Sequence, residues 1–159
     1  HLAARTSTIG LGTFVVQLGS RSPALLATSA LSLQSLSGGR FHLGVDIIAP
    51  AGKLLYAVAD GRITKMYYDY PGSLYGNGIQ ITAADGTYYF YAHMTGTALG
   101  IELGTRVKAG QIVGTVGQTG SAGTAHIHLE IHPKGGAAIN PYTLVKAIDA
   151  CNVTEPRPQ

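Results

Sequence analysis

Thr124-Ala125-His126-Ile127-His128-Leu129-Glu130-Ile131 alternates polar and apolar residues over eight positions, the period of a half-buried β-strand. Residues two apart in a strand point to the same face, so His126, His128 and Glu130 share one side. Ala125, Ile127, Leu129 and Ile131 share the other, which reads as the core side. Two imidazoles side by side, backed by apolar residues that hold them still, are the makings of a metal site or an acid/base pair. His-x-His also arises by chance, so the reading depends on partners elsewhere in the chain.

The chain has 159 residues, enough for one domain with a real core. Its 22 Gly, 9 Tyr and 12% charged residues describe a turn-rich, weakly charged β protein rather than a disordered or coiled-coil one. A net charge of +3 without any Lys/Arg cluster argues against a nucleic-acid partner and suits, mildly, an anionic polymer such as a bacterial wall. The lone Cys151 excludes an internal disulfide and a cysteine-based metal site. No apolar run is long enough for a transmembrane segment; residues 22–39 lack charge but are too rich in Ser.

Outward from the opening strand, residues 37–150 are short β runs punctuated by glycine, and they read as one domain. Residues 41–50 are FHLGVDIIAP; residues 53–68 hold two runs split by the tight-turn signal Asp60-Gly61. Residues 79–82 and 87–93, joined through Asp85-Gly86, should pair as a hairpin. Residues 103–114 carry turn text like that of lipoyl/biotinyl barrels, without the lysine tip a carrier needs, so the likeness is architectural. The fold expected is mainly β, a small antiparallel sheet with a barrel- or sandwich-like core, an open groove and short helices at the periphery. Residues 1–36 read as an N-terminal extension, with a strand at 13–18 and a helix or arm at 23–36. Residues 142–150 fit a short helix, and 151–159 a flexible tail.

His42 and Asp46 lie four apart in a glycine-containing segment. Imidazole and carboxylate are the usual nitrogen and oxygen ligands of a catalytic zinc, which takes three protein ligands and keeps a fourth position for water. His42, Asp46 and one of the strand histidines would supply three. His93 closes the Tyr-rich run, so most of the chain's histidines fall at strand ends or on one face.

His42-Leu-Gly-Val-Asp46-Ile, Ala59-Asp60-Gly61, Tyr91-Ala92-His93, Val107-Lys108-Ala109-Gly110-Gln111 and His126-Ile127-His128-Leu129-Glu130 follow one another in an order that closely resembles the lysostaphin/LytM-type zinc metalloendopeptidases of bacterial peptidoglycan. The resemblance spans about residues 40–145. It implies zinc, one per chain, on His42, Asp46 and His128, with His93 and His126 catalytic without being ligands. It further implies peptidoglycan peptides as substrate, a monomer, and a secreted or cell-envelope location in a bacterium. Upstream the chain departs from the family's Ser-x-Phe-Gly-x-Arg text, reading Gln34-Ser35-Leu36-Ser37-Gly38-Gly39. Which of His93 and His126 acts as base is open at this level. Glu130 is either a carboxylate orienting a ligand or a salt-bridge partner, and His132, beside Pro133, reads as a rim residue. Tyr67, Tyr68, Tyr70 and Tyr75 line either a groove wall or ordinary packing.

Three other readings compete with an active enzyme. A family domain can bind the wall or activate another hydrolase without catalysis, but this chain retains all five functional positions. The D-Ala-D-Ala carboxypeptidase type of zinc peptidase uses a longer His-to-Asp spacing and is disfavoured. The third is latency, with residues 1–36 covering the groove. Under latency, removing residues 1–36 should speed the clearing of a cell-wall suspension, and an unchanged rate would dismiss it.

Overall fold

The computed structural model describes residues 11–12, 41–42 and 44–147. The strand expected at 13–18, the arm at 23–36, the tail and Cys151 lie outside the described residues, as does almost all of the extension invoked for latency. Within the extension, β1 (Leu11–Gly12) pairs in parallel with β2 (Phe41–His42), the strand just ahead of the main sheet.

The main sheet is antiparallel. It comprises β3 (Gly44–Ile48), β4 (Leu54–Tyr56), β5 (Gly61–Tyr67), β6 (Asn77–Thr82), β7 (Tyr88–Thr97), β8 (Arg106–Val107), β9 (Ile112–Val116) and β10 (His126–His132). Its order is β3-β10-β7-β6-β5-β8, with β9 branching from β7 to meet β4. The branch arises because the edge of β7 away from β6 serves two partners: Tyr88 to Ala92 pair with β10, whereas Met94 to Thr97 pair with β9. The sheet thus folds over a core of Leu55, Ile63, Ile81, Met94, Val113 and Leu129 without closing into a barrel. Ile127, Leu129 and Ile131 are buried, as the alternation in β10 requires. The short helix, α1 (Tyr142–Ala147), follows a turn at residues 133–136.

The 79–82/87–93 hairpin forms as expected between β6 and β7. Its turn is held by Asp85, whose carboxylate accepts from the Thr87 N–H and hydroxyl at 2.9 Å each. Asp60-Gly61 turns the chain but makes no hairpin, because β4 pairs with β9 while β5 pairs with β6 and β8. The Asp60 carboxylate instead accepts from Ala109 N–H at 2.9 Å and Lys108 Nζ at 2.6 Å, fastening this turn to the loop before β9.

Gly117 ends β9's run and bridges to His126, with its chain pressed against β7. A Cβ there would meet backbone, 2.5 Å from Met94 C and 2.7 Å from His93 O, and backbone cannot step aside as a flexible side chain can. Gly117→Ala should therefore destabilise the domain by about 1–3 kcal/mol, the usual cost of overpacking. Gly96→Ala on the same strand pair meets nothing within 4 Å and should stay close to the parent in thermal unfolding. Equal melting temperatures for the two variants would contradict this packing.

Candidate active site

The groove face of β10 presents His126, His128, Glu130 and His132, with β3 on one side and β7 on the other. His128 stands opposite Asp46 of β3 in the register, and their side chains meet, His128 Nδ1 to Asp46 Oδ1 at 2.7 Å. Glu130 lies opposite Gly44. A Cβ on Gly44 would collide with Cε1 and Nε2 of the His128 ring, so the imidazole occupies the space this glycine leaves. The glycine of His42-Leu-Gly-Val-Asp46 is thus a seat for the ring.

His93 reaches the same spot by a different device. In a regular strand it would share the face of Tyr91, whose ring is buried in the core with its hydroxyl accepting from Val58 N–H and donating to Tyr56 O. From Tyr91 to Met94, β7 spends three steps where β6, from Ile79 to Asn77, spends two. The extra residue makes a β-bulge, and His93 within it takes φ 63, the left-handed region that costs a non-glycine residue of order 1–3 kcal/mol. The bulge turns the imidazole out of the core side and into the groove. Its N–H is not orphaned, since it donates to Tyr75 O at 2.8 Å.

His93 and His126 are fixed in the same tautomer. His93 Nδ1 faces the Thr119 carbonyl at 2.9 Å and His126 Nδ1 faces the Thr124 carbonyl at 2.8 Å. A carbonyl only accepts, so each Nδ1 carries the proton and each Nε2 is left for the groove. The rings lie 4.6 Å apart between centroids, and His93 is 6.1 Å from His128. His126 Nε2 stands 3.8 Å from Asp46 Oδ1, within the range of charge but not of a hydrogen bond.

The loop between β9 and β10 supplies both carbonyls and is fastened to the loop before β6. Gly76 and Gly120, at φ +63 and +69, pack backbone to backbone where a Cβ on either would strike the other chain. Asp69 accepts from Gly120 N–H at 3.2 Å, and Ser121 donates to Leu74 O through its hydroxyl at 3.0 Å. Thr119 accepts from Asn77 N–H through its hydroxyl, which donates in turn to Met94 O, each at 2.9 Å.

Electrostatics follow from these contacts. Burial opposes a charge on His128, but its hydrogen bonds to Asp46 and Glu130, and their charges, prevail and raise the imidazole to about 9. Burial likewise opposes ionisation of Glu130, and the bonds and charges of His128 and His132 overcome it, lowering the carboxyl to about 2. Asp46 also lies below its ordinary range, burial being outweighed by the His128 hydrogen bond and the three surrounding imidazoles. Burial and the neighbouring imidazoles hold His93 below the usual histidine value, against the opposing Thr119 bond and Asp46 charge.

Of the sequence-predicted residues, the fold brings Asp46, His93, His126 and His128 together. The backbone of His42 ends β2 two residues before β3, and its side chain lies outside the described residues. Among the described residues no three His, Cys, Asp or Glu groups form a metal-binding set. The donor chemistry nevertheless fits zinc: an imidazole nitrogen and a carboxylate oxygen face one another, leaving a third ligand to come from beyond the described side chains. His132 is no rim residue; it is buried, and its Nε2 meets Glu130 Oε2 at 2.8 Å. Sequence reasoning missed Gly44 and the carbonyls of Thr119 and Thr124; backbone acceptors carry no side-chain signal, while the glycine between two candidate ligands was readable as a close approach.

Comparison with known proteins bears on this geometry. The DD-carboxypeptidase/endopeptidase Mpg of Neisseria meningitidis is 34% identical over 105 residues, which is 66% of this chain and 23% of that protein. Among solved structures, the antimicrobial peptidase lysostaphin from Staphylococcus simulans has a TM-score of 0.61 at 28% identity, covering 74% of this chain and 50% of that one. A zinc containing peptidase from Vibrio cholerae has a TM-score of 0.55 at 26% identity, covering 62% of this chain and 28% of that one. The chain spans about a quarter of the length of the first curated relatives it matches. A model of luciferase-like monooxygenases matches residues 1–45, well short of half the chain, and assigns no family. The model of peptidase family M23 matches residues 40–141, the whole of the sheet and groove just described, and the chain belongs to that family.

Proposed function

We propose that this domain is a zinc endopeptidase acting on the peptide cross-links or stem peptides of bacterial peptidoglycan, outside the cytoplasm. The observation that carries the reading is the pair of Nδ1-tethered imidazoles, His93 and His126, whose free Nε2 atoms flank the Asp46–His128 pair. His42, Asp46 and His128 would hold the metal, the last through Nδ1, whose proton the metal would replace while Glu130 keeps the Nε2–H. When bound, zinc polarises a carbonyl oxygen and brings the pKa of a water towards about 7. One of the two imidazoles accepts the water's proton at Nε2 and returns it to the leaving amine, a contribution of roughly 10²–10⁴-fold. The other, once protonated at Nε2 as well, donates to the oxygen on which negative charge develops. Every group named comes from one chain, so a monomer suffices. No helix among the described residues is long and apolar enough to cross a membrane.

Elemental analysis of purified protein, read beside turbidity clearing of isolated cell walls, tests this reading. About one zinc per chain is expected, together with clearing that a chelator abolishes. His128→Ala should lose metal and activity together. His126→Ala should keep its zinc and lose turnover by the roughly 10²–10⁴-fold expected of a proton-transferring group. Retention of metal by both variants would refute the ligand assignment, and metal-free protein that binds walls without clearing them would favour a role as a wall binder or activator.

Gly44→Ala offers an independent check that touches no ligand. The added methyl would take the space of the His128 ring, which carboxylates hold on both sides. Zinc affinity measured by chelator competition should fall at least about tenfold, on the scale of losing an orienting partner of a ligand. Unchanged affinity in a folded Gly44→Ala protein would show that the ring does not depend on this seat.

A further inference from the structure

Beyond His128 the groove face of β10 continues inward rather than out to solvent. Glu130 Oε1 meets His128 Nε2 at 3.1 Å, and Glu130 Oε2 meets His132 Nε2 at 2.8 Å. His132 Nδ1 donates to the Gly136 carbonyl at 2.9 Å, and the ring lies flat on Tyr88, 4.1 Å between centroids and 12° between planes. The side chains of Glu130 and His132 are only 5% and 8% exposed, so none of this is a solvated surface pair. The turn after β10 completes the arrangement. Lys134 at φ 51 and Gly135 at φ +73 bend the chain back until the Gly136 carbonyl reaches the strand's last ring.

A carboxylate held at one oxygen can still swing about its own axis, and one held at both cannot. Glu130 spends one oxygen on each imidazole, so the position of Oε1, on which the His128 ring depends, is set by what holds Oε2. The holder of Oε2 is itself fixed at three points: Glu130, the Gly136 carbonyl and the Tyr88 face. A polar chain that is buried and satisfied at every link transmits orientation, because no link can turn without breaking a bond that water cannot replace.

We propose that His132 is a positioning residue for His128: through Glu130 it fixes the plane of the His128 ring and keeps its proton on Nε2, so that Nδ1 is presented to the metal. This rests on the zinc reading above and extends it to a residue four positions away. Metal ligands typically owe part of their affinity to such outer hydrogen bonds, and loss of one costs about 10–100-fold.

Two substitutions separate positioning from packing. His132→Gln can set its amide N–H near the place of Nε2 and still donate to Glu130. His132→Asn can set its amide near the place of Nδ1, serving Gly136 while leaving Glu130 Oε2 free. The measurements are zinc dissociation constants by chelator competition on the full chain, ¹⁵N NMR of the His128 ring in the zinc-loaded protein, and melting temperature as the control for folding. His132→Asn should bind zinc at least about tenfold more weakly and broaden the His128 Nε2–H signal, whereas His132→Gln should remain near the parent in both. Parent-like affinity in both variants would overturn the proposal. Equal weakening in both, tracking a lower melting temperature, would overturn it too, by showing that the ring matters as filler. A parent that binds no zinc, or an Asp46→Ala variant that binds it undiminished, would instead sink the zinc reading, and the proposal with it.

Discussion

Slipping β10 by one residue against β3 would turn Ile127 and Leu129 to the groove and drive His126, His128 and Glu130 into the core. The apolar residues, buried to within a few per cent, forbid that slip by the loss of roughly 1.5–3 kcal/mol for each side chain exposed. The same register that satisfies the core sets His128 opposite Asp46 and Glu130 opposite Gly44. The Asp46–His128 pair is therefore held by hydrophobic burial on the reverse side of the strand. The Asp46–His128 contact needs no loop to hold it, and a strand flanked by two others moves little.

His93 is where the two demands, core and groove, conflict, and the bulge in β7 is the resolution. Tyr91 must point into the core to meet Val58 and Tyr56, and strict alternation would send His93 after it. Taking an extra residue with φ 63 costs some backbone strain, which the surroundings offset by pairing His93 at both its amide and its Nδ1. Those acceptors, Tyr75 O and Thr119 O, belong to the two loops that meet at Gly76 and Gly120. Strain at the imidazole and close glycine packing in the walls are thus one feature seen from two sides. No buried side-chain nitrogen or oxygen among the described residues lacks a partner, as a polar face this enclosed requires.

Much of this could be read in the chain. The alternation at residues 124–131 gave both faces of β10, and the order of short motifs named Asp46 and His93, which the fold brings beside it. What could not be read was anything whose cause lies across the sheet. Asp60-Gly61 carries a good hairpin signal, yet β4 pairs with β9, because a turn signal states where the chain bends and not which strand it meets next. His132 beside Pro133 looks like a strand end open to solvent, yet a left-handed turn folds the following carbonyl back over it and Tyr88 covers its ring. The bulge at His93 left one trace in the sequence: Tyr91 and His93 share a parity but suit opposite faces.

Strand and loop divide the surroundings of this polar face between them. Asp46, His93, His126 and His128 sit on β3, β7 and β10, whose register the core dictates. Tyr67, at the end of β5, and Tyr75, on the segment before β6, pack edge-on against Phe90. That segment continues into Tyr68 and Tyr70, which are 69% and 66% exposed and contribute little to the core. Exposed loop side chains of this kind can be exchanged without disturbing the core. The limit to that freedom is set by Gly76 and Gly120, where the segment before β6 and the β9–β10 loop share backbone contact. A change there moves the Thr119 carbonyl, and with it the imidazole of His93.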